Sequence, residues 1–266
     1  MFDEIVEKSD IMFAIYKKEL RSYFINAIGY VYVGVFLALS ALLCCYSTLI
    51  AKTYDTSGYF TFLIVSFIIL IPLLTMKLFA EEKKLRTEQL LLTAPVSLWG
   101  MVIGKFLAAF TLFAGTVVAS CVSFFPLYAY ANEERLAFAE AYGEALAKET
   151  DIGPMTAVIL SCLLGVLMIG MVFISIGLFI SSLTENQLAA AVLTVAVILM
   201  MLLCDLVVEY IPVPAIQFVI GWFGIMSRYK YFTAGMLDFS AILYYLSISG
   251  VFLLLTVRVY DKRRWG

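Results

Sequence analysis

Two short runs carry residues whose types and spacing could do chemistry, and a pair of carboxylates forms a third candidate. Gly100–Lys105 (GMVIGK) sets two glycines ahead of a lysine, as a phosphate-binding loop does. Such a loop needs four residues between the glycines and a Ser or Thr after the lysine to hold magnesium. Here three residues intervene and Phe106 follows Lys105. Nucleotide binding of that kind is excluded, and Gly100, Gly104 and Ala108 read instead as a ridge of small residues for close helix packing. Asp205 and Glu209 stand where an apolar run gives way to Pro212. Carboxylates at membrane depth are costly and mark functional sites, so this pair is a candidate gate or cargo contact, or else simply reaches the interface.

The second run, Glu81–Arg86 (EEKKLR), matches the glutamate-pair and arginine pattern of CAAX-type intramembrane proteases. Those enzymes complete their site with histidines on later helices, and this chain has no histidine. The same absence removes Ser-His-Asp and Cys-His catalysis and every histidine-ligated metal. The run then reads as a helix surface with i,i+4 pairs, Glu82 with Arg86 and Lys84 with Glu88. The five cysteines, Cys44, Cys45, Cys121, Cys162 and Cys204, all lie in apolar runs. They read as small packing residues, not as a disulfide or zinc framework. No catalytic residue, metal ligand or cofactor emerges.

The elements that must position these runs are membrane helices. Of 266 residues 63% are hydrophobic and 14% charged, against about 45–50% and about 25% for a soluble domain. A net charge of −2 with no basic tract gives no sign of nucleic-acid binding. The chain opens MFDEIVEKSD, acidic and polar, so the first apolar run is expected to be kept as a span and not cleaved as a leader. Residues 11–24 (IMFAIYKKELRSYF) place bulky residues on one helical face and Lys17, Lys18 and Arg21 toward another. This predicts an interfacial helix or a basic flank to the first span. A bilayer core takes about 20 apolar residues as a helix. Stretches of that length occur at about 27–51, 58–76, 100–131, 152–184, 186–204 and 239–257. The predicted fold class is an all-α polytopic membrane protein with six spans, built as one domain without internal repeats.

Six spans place both termini and the island Phe79–Ser97 on one side. That side then holds thirteen of the eighteen Lys and Arg residues, and the other side holds Lys52, Arg135, Lys148, Arg228 and Lys230. The bias marks the first side as cytosolic. A seventh span at 210–227 would break it, and Pro212, Pro214, Gly221 and Gly224 interrupt that stretch. Residues 210–238 are therefore expected to form a re-entrant hairpin from the outer face. The outer loop 132–151 has six acidic and two basic residues. Leu136, Ala139, Tyr142 and Leu146 recur in it at helical spacing, predicting a short amphipathic helix.

With these parts side by side, the chain resembles the ABC-2 type transporter permeases, the membrane subunits of a class of ATP-binding-cassette exporters, and most nearly their gliding-motility-type branch. The basic segment KKELRSYF precedes the first span. The segment EEKKLRTEQLLLTAPVS, followed by Gly104 and Lys105, is similar to the family's cytoplasmic coupling segment, with Ala94 intervening before Pro95. The stretch SRYKYFTAGMLDFSAILYYLSIS and the basic tail LTVRVYDKRRWG are similar to later parts of the family pattern. The resemblance covers nearly the whole chain.

It implies a coupling segment at 78–98, with a charged helix from about Leu78 to Leu92 ended at Thr93-Ala94-Pro95, since Pro95 disfavours helical geometry at Ala94. Glu81, Glu82, Arg86 and Glu88 would contact the ATPase, with Thr93 and Pro95 forming the stop. The implied partners are two cytosolic ATPase subunits and a second permease subunit, as homodimer or heterodimer, in the lipid of a prokaryotic cytoplasmic membrane. The chain itself would not hydrolyse ATP. The function implied is export of a substrate that the sequence does not identify. The alternative is a non-transporting mechanical transmitter driven by such an ATPase, with the 132–151 loop meeting an extracytoplasmic partner.

Overall fold

Lipid offers no hydrogen-bond partners, so a long apolar run satisfies its backbone only by coiling into a helix. The computed structural model describes residues 2–25, 27–51, 53–87, 97–142, 153–208 and 210–265, most of them helical and none in a strand. In chain order the helices are α1 (Phe2–Ile25), α2 (Ala27–Cys44), α3 (Ser57–Thr75), α4 (Ala80–Lys84), α5 (Leu98–Ser120), α6 (Phe125–Tyr142), α7 (Thr156–Leu183), α8 (Gln187–Val208), α9 (Pro214–Phe223), α10 (Met226–Thr233) and α11 (Phe239–Trp265). A π-helical turn, Cys45–Ile50, continues α2, and a 3₁₀ turn, Cys121–Phe124, joins α5 to α6. Six segments are long and apolar enough to cross a membrane: Ala27–Ile50, Ser57–Lys84, Leu98–Ala141, Thr156–Leu183, Gln187–Val208 and Phe239–Arg264. They correspond one to one with the six predicted stretches.

The central helix is α7, which packs against α3, α5, α8, α10 and α11. Its small residues allow this. A methyl group on Gly170 would stand 2.1 Å from the Phe113 ring, and one on Gly177 would stand 2.2 Å from Thr75 Oγ1. Beside it, Phe113 stands edge-on to Phe36 and Phe67, at centroid distances of 6.4 and 5.1 Å, tying α2 and α3 to α5. By contrast α8 presents Leu188, Val192, Met200 and Leu206 outward, and α2 presents Tyr30, Val31 and Leu42. Apolar surface of this kind suits lipid or another membrane helix.

Two regions depart from expectation, and a third takes more definite form. The charged helix predicted to reach Leu92 is the short α4, and Leu85–Thr87 form a turn. The N–H of Arg86 donates to Lys83 O and that of Thr87 to Glu82 O, each at 3.0 Å. Arg86 sits in the left-handed region at φ 56°. This is the double-bonded C-terminal cap that glycine usually supplies, and it stops the helix well before Pro95. Second, no separate helix begins among the described residues of the outer loop, 132–142. Instead α6 runs unbroken from the third span to Tyr142, with Leu136 exposed and Ala139 half-buried, while Leu146 lies outside the described residues. Third, 210–238 folds as two short helices. Helix α9 buries no residue, whereas α10 seats Tyr229 and Phe232 against α7.

Candidate functional site

The densest polar cluster lies where α1, the α3–α4 turn, α5 and the end of α7 converge, hereafter the basic end. At its centre is Lys105, 1% exposed. An ammonium has three N–H donors, and all three are used. Lys105 Nζ donates to Glu82 Oε1 at 2.8 Å, to Leu78 O at 2.8 Å and to Glu19 Oε1 at 3.0 Å. It also stands 5.1 Å from the centre of the Phe79 ring. The second lysine, Lys18, 65% exposed, lies 3.7 Å from Glu19 and 3.8 Å from Glu82. Two ammonium groups thus balance two carboxylates. A buried charge is tolerated when paired and fully hydrogen-bonded, and this one joins α1, α4 and α5 in a single knot.

The remaining polar groups fasten the same turn to α7 and α11. Ser181 Oγ accepts from the N–H groups of Phe79 and Ala80, each at 3.1 Å, and donates to Met76 O at 3.3 Å. It therefore caps the start of α4 from a different helix. Lys83 Nζ donates to Ser182 O, placing positive charge at the carboxyl end of α7, where the helix dipole favours it. Phe79 packs on Tyr260 of α11, with ring centroids 4.7 Å apart. Tyr23 donates to Leu74 O at 3.1 Å, and burial, with Glu19 nearby, holds its phenol well above the usual value and so protonated. Both terminal helices and the island therefore meet at one end of the bundle.

Of the residues singled out from sequence, Glu82 is committed inward to Lys105. No Glu82–Arg86 pair forms, because α4 ends between them. Glu81 pairs instead with Lys77 at 3.9 Å. It also lines a 40 Å³ cavity with Glu19, Ser22 and Tyr23. Arg86 is exposed and lines an open cleft of about 410 Å³ with Lys84, Glu185 and Asn186. Glu88, Thr93 and Pro95 lie outside the described residues, as does Glu209. Gly100, Gly104 and Ala108 are buried, and α1 crosses at the glycines. A methyl on Gly104 would stand 3.1 Å from Met12 O and 3.2 Å from Ile15 Cγ2.

Asp205, at the opposite end, caps α10, accepting from Met226 N at 2.7 Å and Ser227 N at 3.2 Å. Arg228 donates to Gly224 O at 2.9 Å and lies 3.7 Å over the Tyr244 ring, while Tyr244 and Tyr245 donate to Trp222 O and Ile225 O. The carboxylate organises the junction between α9 and α10.

Sequence reasoning met Lys105 only within GMVIGK and the coupling resemblance, gave it no partner, and passed over Glu19, Ser181 and Ser182. The signal for Lys105 is legible, since it is the sole charged residue between Leu98 and Ala131, and an ionisable residue in an apolar run needs a partner. Glu19 and the serines carry no such mark.

Residues 9–263 match the family described as ABC-2 family transporter protein. The chain belongs to that family. No curated protein matches it. Membership makes this ABC-2 protein a membrane component of an ATP-binding-cassette transporter, a class that works with ATPase partners. Of the knot, Leu78 and Glu82 fall within 78–98, the segment for which the coupling resemblance was drawn.

Proposed function

We propose that this ABC-2 protein is the permease subunit of an exporter, and that the turn from Met76 to Thr87 receives force from a separate cytosolic ATPase. The observation that carries the reading is the contrast within that turn. Its first half is tied to α1, α5, α7 and α11 through Lys105, Ser181 and Phe79. Its second half, Lys84–Thr87, stands exposed, with Leu85 64% exposed. A push on the exposed half is delivered to four helices at once, because the anchored half cannot move without them. Glu82 acts in this scheme as an internal strut, and Leu85 and Arg86 as the contact. By the family resemblance, Glu88, Thr93 and Pro95 would belong to the same ATPase contact.

The thirteen-to-five distribution of basic residues supports a cytosolic basic end with both termini there, in a prokaryotic cytoplasmic membrane. A second permease copy completes the pathway, with one ATPase beneath each. Residues 210–238 act as the re-entrant hairpin on the outer face. The gliding-motility-type branch rests on the resemblance of the basic tail.

The decisive experiment is co-purification with the partner ATP-binding-cassette ATPase, comparing wild type with Leu85→Asp and Arg86→Gly. A residue with a Cβ at φ 56° is strained, so glycine at position 86 should stabilise the subunit by about 1 kcal/mol. Both variants are expected to lose ATPase association and stimulated ATP hydrolysis while the subunit stays folded. Retention of both properties in both variants sinks the coupling role.

A further inference from the structure

A second cleft, larger than the one beside Arg86, lies at the other end of the bundle, away from the proposed coupling turn. It measures about 570 Å³ and opens between the end of the first span, the loop that follows it and α6. Its position follows from two local departures from α geometry. The first span turns π-helical at Cys45–Ile50, and the third turns 3₁₀ at Cys121–Phe124. The two breaks lie side by side, joined by Cys44 Sγ and Ser123 O at 3.6 Å. π-Turns inside α-helices occur frequently at functional sites. Here the turn supplies Thr48 and Leu49 to the cleft.

The lining has a definite chemistry. Thr48 and Leu127 are buried and form its floor. Leu49 adds apolar wall. Tyr54, Tyr130 and Glu134 stand at the rim, and Tyr54 donates its hydroxyl to Glu134 Oε2. Two phenol rings and one carboxylate around an apolar floor form a receptor for a positively charged headgroup with a hydrocarbon body. Aromatic faces attract ammonium ions, and choline-like cations above all. The surrounding charge agrees, for the described stretch 132–142 of α6 carries Glu133, Glu134 and Glu140 against Arg135 alone, which raises the local concentration of cations. An anionic ligand would meet repulsion from the same groups.

We infer that this cleft binds an alkylammonium compound, its cationic head at Glu134 between Tyr54 and Tyr130 and its chain on Leu49 and Leu127. The ligand is either a free organic cation or the amine headgroup of a lipid; the two share one recognition chemistry. The binding needs no ATPase, so its test stands apart from that of the coupling role.

The full-length chain, purified in a neutral maltoside detergent free of amines, is titrated with hexyltrimethylammonium by calorimetry. Saturable binding at one site per chain is expected. Glu134→Gln, which keeps an acceptor for Tyr54 but removes the charge, should weaken it about tenfold. Tyr130→Ala should weaken it severalfold, whereas Glu140→Gln, an exposed carboxylate on the same helix, should leave it unchanged. Displacement of the probe by lysophosphatidylethanolamine identifies a lipid headgroup as the source. Saturable binding without displacement identifies a free organic cation. The inference is overturned if no saturable binding occurs, if Glu134→Gln and Tyr130→Ala bind as the parent does, or if Glu140→Gln weakens binding equally.

Discussion

The two ends of this bundle use charge in opposite ways. At the basic end every donor of Lys105 is spent inside the protein, on Glu19, Glu82 and Leu78 O, and this ammonium is closed to solvent. At the opposite end Asp205 serves only backbone N–H groups, and Glu134 faces an open cleft with a single tyrosine on it. The first arrangement makes several helices move as one body. The second leaves room for a ligand and for relative movement of short helices. Under the proposed coupling role, rigidity where force enters and latitude at the other end is what a transmitting membrane subunit requires.

That contrast is broken most severely at Lys105. Lys105→Met removes the most deeply buried cation among the described residues and leaves two carboxylates, Glu19 and Glu82, that are 13% and 16% exposed, with only the exposed Lys18 beside them. Breaking one partner of a buried ion pair costs about 3–5 kcal/mol, and thermal unfolding in detergent should show a loss of that order. The triple change Lys105→Met, Glu19→Gln, Glu82→Gln should recover most of it, because the uncompensated charge is gone. If the single variant melts with wild type, the knot does not hold the end together.

Gly177→Ala comes next. The new methyl would meet the buried Thr75, a stiff β-branched side chain on α3, at 2.2 Å. Forcing it in should cost about 1–3 kcal/mol, read as a lower melting temperature. Asp205→Ala is expected to cost about 1 kcal/mol as a lost helix cap. Its mark should be local, with faster hydrogen exchange at Met226 and Ser227 and unchanged protection near Lys105. Spread of that change to the basic end would refute the separation of the two ends.

How far these features could be read in the sequence depends on the range of the forces behind them. The six spans were legible because hydropathy over about 20 residues decides whether a segment enters lipid. The knot was only half legible. Lys105 stands out in its apolar run, but Glu19 lies 86 positions away, and no local pattern pairs them. The early end of α4 was hidden for a different reason. A double-bonded cap normally announces itself with glycine, and here Arg86 occupies the left-handed position instead. Likewise the Ser181 cap on α4 comes from another helix, so no capping motif precedes Ala80. The cleft by Glu134 depends on two helix irregularities that leave no compositional trace.

The smallest effect is the most discriminating for the knot itself. Lys18 lies within 3.8 Å of Glu82, like Lys105 almost in contact with both carboxylates, yet its side chain is 65% exposed. If charge balance alone stabilised the cluster, removing either lysine would cost a similar amount. Exposure argues otherwise, since water and salt screen Lys18 and replace it readily, whereas nothing replaces Lys105. Lys18→Ala should therefore change stability by no more than about 0.5 kcal/mol, and less at high salt than at low salt. A loss comparable to that of Lys105→Met would mean that the neutral four-charge set, not the buried ammonium with its three bonds, is what binds α1 and α4 to α5.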